Sequence, residues 1–472
     1  MRSLVSTAAL SLAALVAATP ALAQSYPPAP PIGSPKPFNV PASETYTLPN
    51  GMIVTLVPYG AVPKAFMMLD VYAGGVNEDD KVWLSQLAAE MTKQGAAGKT
   101  AGQIATAAAD MGGNLNVSPG EEKTSFAIDV LSEHIGHAVA LLGDVATRPD
   151  FPAAEFDRVK ADAVRRLALT MSQPGTLATA ALFKRYYGAT HPYGRYVPTQ
   201  AQLSAYTLAD AKRFYAANFG AKRAHLYIAG RFDTAAAKAA IEQAFGGWAA
   251  GADRARVPYT PTTGPAVLLV DRPGAPQSTL RLAFPAPAGA SAGDVPERVS
   301  NALLGGAFSS RITRNIREDK GYTYSPGSSI QFWPGAGTWV FQADVTSTAT
   351  GASLTEVYKE IRRLQTETPP AEEVAGSRNY LAGLFAIQNA TAASLVNSMA
   401  QRDALGWPKD WLQTYVPAVL AVTPAQVRQA AVATQPLDKA TLVVVGDLTS
   451  VEPQLKALPE LKGVTFQRVT VP

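Results

Sequence analysis

Apolar residues at Leu84, Leu87, Ala88 and Met91 recur at i, i+3, i+4 and i+7, which predicts a helix over Trp83 to Lys93 with that face in a core. Ile312 and Ile316 lie one turn apart and predict a second amphipathic helix. Lys320-Gly321 stops it, because glycine takes the left-handed position that ends many helices. Tyr322, Thr323 and Tyr324 follow as strand formers. Apolar runs at Ile53 to Val57, His225 to Gly230, Ala266 to Val270 and Thr441 to Gly446 predict strands, set among long alanine-rich helices. The pattern implies an α+β fold in which helices pack on one face of a sheet.

The pattern also repeats. Thr207-Leu208-Ala209-Asp210 leads through a helix to the strand ending at Gly230, and Thr423-Pro424-Ala425-Gln426 leads likewise to the strand ending at Gly446, both pairs 216 residues apart. Gly60 and Gly75 bracket one strand as Gly274 and Gly289 bracket another, 214 residues on. A near-constant offset with one element order argues for duplication. The reading gives two homologous halves, residues 40–250 and 266–470, joined by a Gly/Pro/Thr-rich linker at 251–265.

The chain start reads as an export signal over residues 1–23, with Arg2, an apolar stretch from Leu10 to Ala18 and the small-x-small site Ala21-Leu22-Ala23. That stretch is too short to span a bilayer, and no later segment is continuous enough. Residues 24–39, rich in proline, read as a spacer. The expectation is an exported protein, periplasmic in a Gram-negative source, with no membrane span. Zero cysteines exclude disulfides and thiol-linked lipid anchors. A net charge of +4 over 472 residues is too weak to argue for nucleic acid.

Candidate chemistry concentrates at Gly305-Gly306-Ala307-Phe308-Ser309-Ser310-Arg311 and the segment through Ser325. Arg317 offers a planar fork of donors near the helix end, and Tyr324 a phenolic hydroxyl. Together they could hold a peptide carbonyl or a developing oxyanion. The pair alone also reads as a surface arginine and a half-buried tyrosine.

The run from Gly305 to Ser325 resembles the C-terminal-half signature of the insulinase/pitrilysin zinc peptidases and their processing-peptidase relatives. In that family an arginine, and a tyrosine seven positions on, contact substrate near the zinc. Arg317 and Tyr324 stand at that spacing. The resemblance spans about residues 40–450 and implies two insulinase-like halves closing around a chamber.

Catalytic members carry the zinc motif His-x-x-Glu-His on the first helix of the first half. Here those positions are Gln86, Ala89 and Glu90. Gln86 is a poor zinc ligand, Ala89 cannot act as a base, and Glu90 is one carboxylate alone. The downstream helix, Phe156 to Leu167, offers Asp162 and Arg166 without a clear third ligand. Of the four histidines, His134 and His137 lie one turn apart without a third ligand, and His191 and His225 read as structural. No metal site and no cofactor is expected in this chain.

Gly112 to Ser118 aligns with the family's edge strand, where a peptide adds as an extra strand. The resemblance gives Asn114, Leu115, Asn116 and Val117 as substrate-binding, and a merely protected edge is an equal reading. Some members divide the active site between paired subunits. The resemblance thus implies a non-zinc subunit of an exported heterodimeric zinc metallopeptidase. Its partners would be a homologous zinc-bearing subunit and an unstructured peptide, with Arg317 and Tyr324 supplied in trans. The alternative is an inactive peptide-binding or scaffold subunit of an envelope complex.

Overall fold

The computed structural model describes residues 38–257, 261–262 and 264–471. The expected signal segment and nearly all of the proline-rich spacer lie outside them.

Fourteen strands are described: β1 Glu44–Thr47, β2 Ile53–Pro58, β3 Lys64–Val71, β4 Gly95–Ala96, β5 Lys99–Thr100, β6 Asn116–Pro119, β7 Thr124–Leu131, β8 Ala224–Gly230, β9 Ala266–Asp271, β10 Gln277–Ala286, β11 Gly327–Trp333, β12 Ala336–Thr346, β13 Thr441–Gly446 and β14 Phe466–Arg468. One six-stranded sheet runs β1-β2-β8-β3-β7-β6, and another runs β11-β12-β10-β13-β9-β14. Read from opposite ends, five strands correspond one to one. In both sheets the first long strand pairs parallel with the last, β2 with β8 and β9 with β13. The sixth strand differs: β1 precedes its repeat and joins β2 antiparallel, whereas β14 follows its repeat and joins β9 parallel. The two threonines of the sequence repeat do the same work. Thr207 Oγ1 accepts from the Asp210 backbone N–H and Thr423 Oγ1 from that of Gln426, each closing a capping box on its helix.

The apolar runs are explained by burial on two sides. Every residue of β8 and of β13 is buried. A strand so placed reads as a continuous hydrophobic stretch rather than an alternating one. On its outer face each sheet packs on helices of its own half, with Val54, Leu69, Ile128 and Leu226 against Leu87, Ala88, Val139 and Leu142 in the first. The inner face of each sheet is covered in part by a helix of the opposite half. Tyr227, Met68 and Val57 of the first sheet share a core with Leu395, Val396 and Met399 from the helix Ala392–Leu405 of the second half. Reciprocally, Val270, Ala283, Val340, Val443 and Val445 of the second sheet pack on Ala178, Ala181, Leu182 and Tyr186 from the helix Pro174–Tyr187 of the first. Alanines facing the sheet let that helix approach closely. Each half supplies the lid of the other.

A polar chain crosses this junction. Thr55 Oγ1 bonds His225 Nε2 at 2.8 Å, His225 Nδ1 bonds the Tyr227 hydroxyl at 2.8 Å, and that hydroxyl donates to Asp403 Oδ2 at 2.9 Å. Burial pushes the His225 imidazole down to about 4 against the pull of Asp403, so it is neutral at pH 7. Neutral imidazole with its proton on Nδ1 satisfies every link. The predicted linker is pinned to the first half, because Arg223 Nε donates to the Ala252 and Asp253 carbonyls.

Candidate functional site

The glycine and isoleucine run folds differently from the α-helix the spacing predicts. Ala302–Gly306 and Thr313–Asp319 are π-helical turns, with Ala307 N–H donating to Ala302 O and Lys320 N–H to Asn315 O. Such widened turns recur at functional sites. Gly305 and Gly306 sit where a Cβ would strike Ser328 and Asn301, so the wide turn can lie against β11 only with glycine there. Gly321 has φ +65°, the left-handed stop the sequence predicts.

The strand predicted at Tyr322 to Tyr324 does not form. Thr323 makes an isolated bridge to Val345, and β11 begins only at Gly327. The backbone instead serves the helix end: Tyr322 N–H donates to Ile316 O, and Thr323 Oγ1 to Asp344 O. Tyr324 consequently lies on a bent connector and is 82% exposed.

Arg317 and Tyr324 nonetheless come together. The Arg317 guanidinium lies 4.3 Å from the Phe308 ring centre and 5.2 Å from that of Tyr324, a cation held between two rings. The three line an open cavity of about 350 Å³ with Gly305, Thr313, Ser328 and Gln342. All its lining residues belong to the second half. Phe308 is the member sequence reasoning missed; an aromatic inside a glycine–serine run was the available signal.

On the other side, the helix Leu84–Thr92 carries the three motif positions. Ala89 is fully buried in the core, Glu90 pairs with Lys93 at 3.0 Å, and Gln86 lines a cavity of about 350 Å³. That cavity contains two carboxyls the sequence reading passed over. Glu78 accepts from the backbone N–H groups of Trp83 and Ser85 and so anchors the start of the helix. Burial pushes Glu78 up to about 7, and burial with the nearby Glu78 and Glu122 charges pushes Glu121 up to about 8. Among the described residues no group of three or more His, Cys, Asp or Glu could hold a metal. His134 and His137 lie 6.3 Å apart between ring centres, with the rings tilted by 36°. His191 accepts from the Tyr193 backbone N–H at a turn.

The edge strand starts later than the resemblance placed it. β6 pairs only with β7 and spans Asn116–Pro119, which leaves Asn114 and Leu115 outside the strand. Val117 turns its side chain into the core, and Asn116 and Ser118 face solvent. Gly113 is needed just before, since a Cβ there would meet the Asp129 carbonyl.

These places are linked. The cavity at Arg317 and Tyr324 shares Gly306, Ser328 and Ser329 with one running along β11. That one shares Phe332 and Gln401 with a cleft of about 740 Å³ between the β6–β7 and β11–β12 turns. The cleft shares Gly120, Glu121 and Trp333 with the Gln86 cavity. The result is a trough of adjoining cavities from Tyr324 to Gln86.

A model of the insulinase family, peptidase family M16, matches residues 59–192, and one described as the peptidase M16 inactive domain matches residues 205–381. An uncharacterized zinc protease of Rickettsia felis is 24% identical over 343 residues, covering 71% of this chain and 81% of the relative. One from Mycobacterium leprae is 27% identical over 305 residues, covering 62% and 66%. Among solved structures, a peptidase M16 inactive domain from Pseudomonas fluorescens superposes with a TM-score of 0.79 at 23% identity, covering 86% of this chain and 98% of that one. A protease from Helicobacter pylori gives 0.79 at 17% identity, covering 86% and 99%.

Proposed function

Because the chain belongs to the insulinase family, peptidase family M16, we propose that it is the non-zinc subunit of an exported heterodimeric zinc metallopeptidase. The observation that carries this reading is an asymmetry. Arg317 and Tyr324 are held together in an open cavity, while the zinc-motif positions hold Gln86, Ala89 and Glu90. A homologous partner chain supplies zinc and its activated water; this chain's residues bind and polarise the peptide. The Arg317 fork grips a carbonyl of the extended substrate, with the Phe308 and Tyr324 rings fixing its plane. The Tyr324 hydroxyl donates to the carbonyl oxygen as it gains charge. A preorganised donor of this kind is worth roughly 10²–10³ in rate. The trough along β11 and the exposed Asn116 and Ser118 edge support an extended, sequence-tolerant peptide.

The test is isolation of the chain from its native source followed by a peptide-cleavage assay. A co-isolating zinc-containing relative, with cleavage that needs both chains, is the expected result. A partner without zinc, or cleavage indifferent to this chain, would favour an envelope scaffold.

A further inference from the structure

A further cavity adjoins the Gln86 cavity, sharing Val82, Arg195 and Tyr196 with it. It has a volume of about 690 Å³, inside the range of small-molecule sites, roughly 300–1,000 Å³. Its floor is apolar and buried: Val82, Ala180, Ala181, Val197 and Leu268. One wall is formed by Gln467, Val469, Thr470 and Val471, at and just beyond β14. Most of the floor thus comes from the first half, and Leu268 and the wall come from the second.

The rim has one sign of charge. Lys184, Arg185 and Arg195 line it, against a single acid, Asp80. The C-terminal turn of the helix Pro174–Tyr187 accounts for Lys184 and Arg185 as a pair that favours the helix dipole. It does not account for Arg195, which follows a separate turn and whose Nε is buried without a hydrogen-bond partner. None of the three cations makes a contact ion pair among the described residues, although Arg195 acts at longer range on Glu78 and Glu121, whereas most surface lysines and arginines of the helix Ala153–Ser172 do make one. A buried donor without an acceptor is costly, so an anion beside Arg195 Nε satisfies it.

We propose that this cavity binds a carboxylate carried on an unbranched apolar chain, with the head at Arg195, Lys184 and Arg185 and the tail on the alanine and valine floor. Charge selects the head, since a cationic or neutral head forgoes the three donors. The flat apolar floor selects the tail, about 0.8 kcal/mol accruing per buried methylene. Because the two halves share the cavity, the ligand ties them together and should raise the unfolding temperature.

The test uses the intact chain at pH 8, with decanoate, decanol, decyltrimethylammonium and a short Val-Val-Leu peptide as free acid and as amide, all below micelle formation. Decanoate should saturate and raise Tm by about 2–4 °C at 100 times its Kd. Decanol should bind at least about tenfold more weakly, and the ammonium not at all. The double variant Lys184→Glu/Arg185→Glu, exposed enough to fold, should lose at least about tenfold in decanoate affinity, and Arg195→Gln should do the same. An equal response to decanol or to the ammonium overturns the proposal. So does binding of the peptide acid without binding of decanoate. Unchanged decanoate affinity in both variants overturns the placement.

Discussion

The Arg317 guanidinium stands 5.2 Å from the ring centre of Tyr324, although the two residues lie on a π-helical turn and a bent connector rather than on an α-helix and a strand. The guanidinium also lies over the Phe308 ring at 4.3 Å, and ring contacts of this kind leave the fork's N–H groups free to donate.

With a zinc-bearing partner present, Tyr324→Phe should lower kcat about 10²-fold with little change in KM, because the hydroxyl acts on charge that develops in the transition state. Arg317→Ala should also raise KM, since it removes a contact made before reaction. Tyr324 is 82% exposed, so its substitution should leave unfolding within about 0.5 kcal/mol of wild type. Steady-state kinetics beside thermal denaturation checks both. Wild-type kcat/KM in both variants would exclude a catalytic contribution.

The isolated chain should bind no stoichiometric zinc. Metal analysis of chelator-free protein is the measurement, and about one tightly held zinc per chain would contradict it. Rebuilding the motif residue by residue should fail as well. Ala89 has no exposed surface, and Ala89→Glu should cost about 2–4 kcal/mol by burying a carboxylate among Leu87, Ala88 and Met91.

Glu297 gives a pH dependence whose sign is fixed. It is fully buried, and burial pushes its carboxyl up to about 8. Thr434 Oγ1 lies 2.5 Å from Glu297 Oε2 and 2.7 Å from Ala430 O. One hydroxyl proton cannot serve both, so a protonated Glu297 donating to Thr434, which passes its own proton to Ala430, satisfies the set. A folded pKa above the unfolded one means stability is complete below about pH 4.5 and is lost as pH rises through about 8. Glu297→Gln, which keeps the shape and a donor, should flatten this slope between pH 5 and 9 in denaturant titrations. An unchanged slope would assign it to Glu78 and Glu121.

Across the junction, Asp403→Ala should destabilise by about 1.5–3 kcal/mol, because it strands the buried Tyr227 hydroxyl. Tyr227→Phe in the same background should add little, a non-additivity that a double-mutant cycle reads directly. Fully additive losses would show that the 2.9 Å contact does not couple the halves.

Much of the frame was legible in the sequence. Thr207 and Thr423 open equivalent helices because a threonine followed three residues later by an acid or amide is a local device. The strands ending at Gly230 and Gly446 were legible as apolar runs, but the runs did not say what covers their second face. That cover comes from more than 100 residues away, and no local pattern encodes it. Tyr322 to Tyr324 misled for a related reason: strand propensity is high, but the Ile316 and Asp344 carbonyls claim the backbone and the Thr323 hydroxyl first. The placing of the zinc-motif positions at Gln86, Ala89 and Glu90 came from the resemblance, and the structure adds that all three lie on one helix. Glu78 and Glu121 were missed because they gather around Gln86 only once the β6–β7 turn folds back.

The crossed helices bear on descent. A half-length polypeptide with this fold would leave Val270, Ala283, Val340, Val443 and Val445 bare unless a second copy laid a helix across them. Its natural state would be a twofold pair, each copy completed by its sibling. Joining two such copies through residues 251–265 replaces a concentration-dependent encounter with a tethered one, worth millimolar effective concentration for a short connection. The tether also lifts the demand that the copies stay identical. One sheet now borrows its last strand from before its repeat, and the other from after.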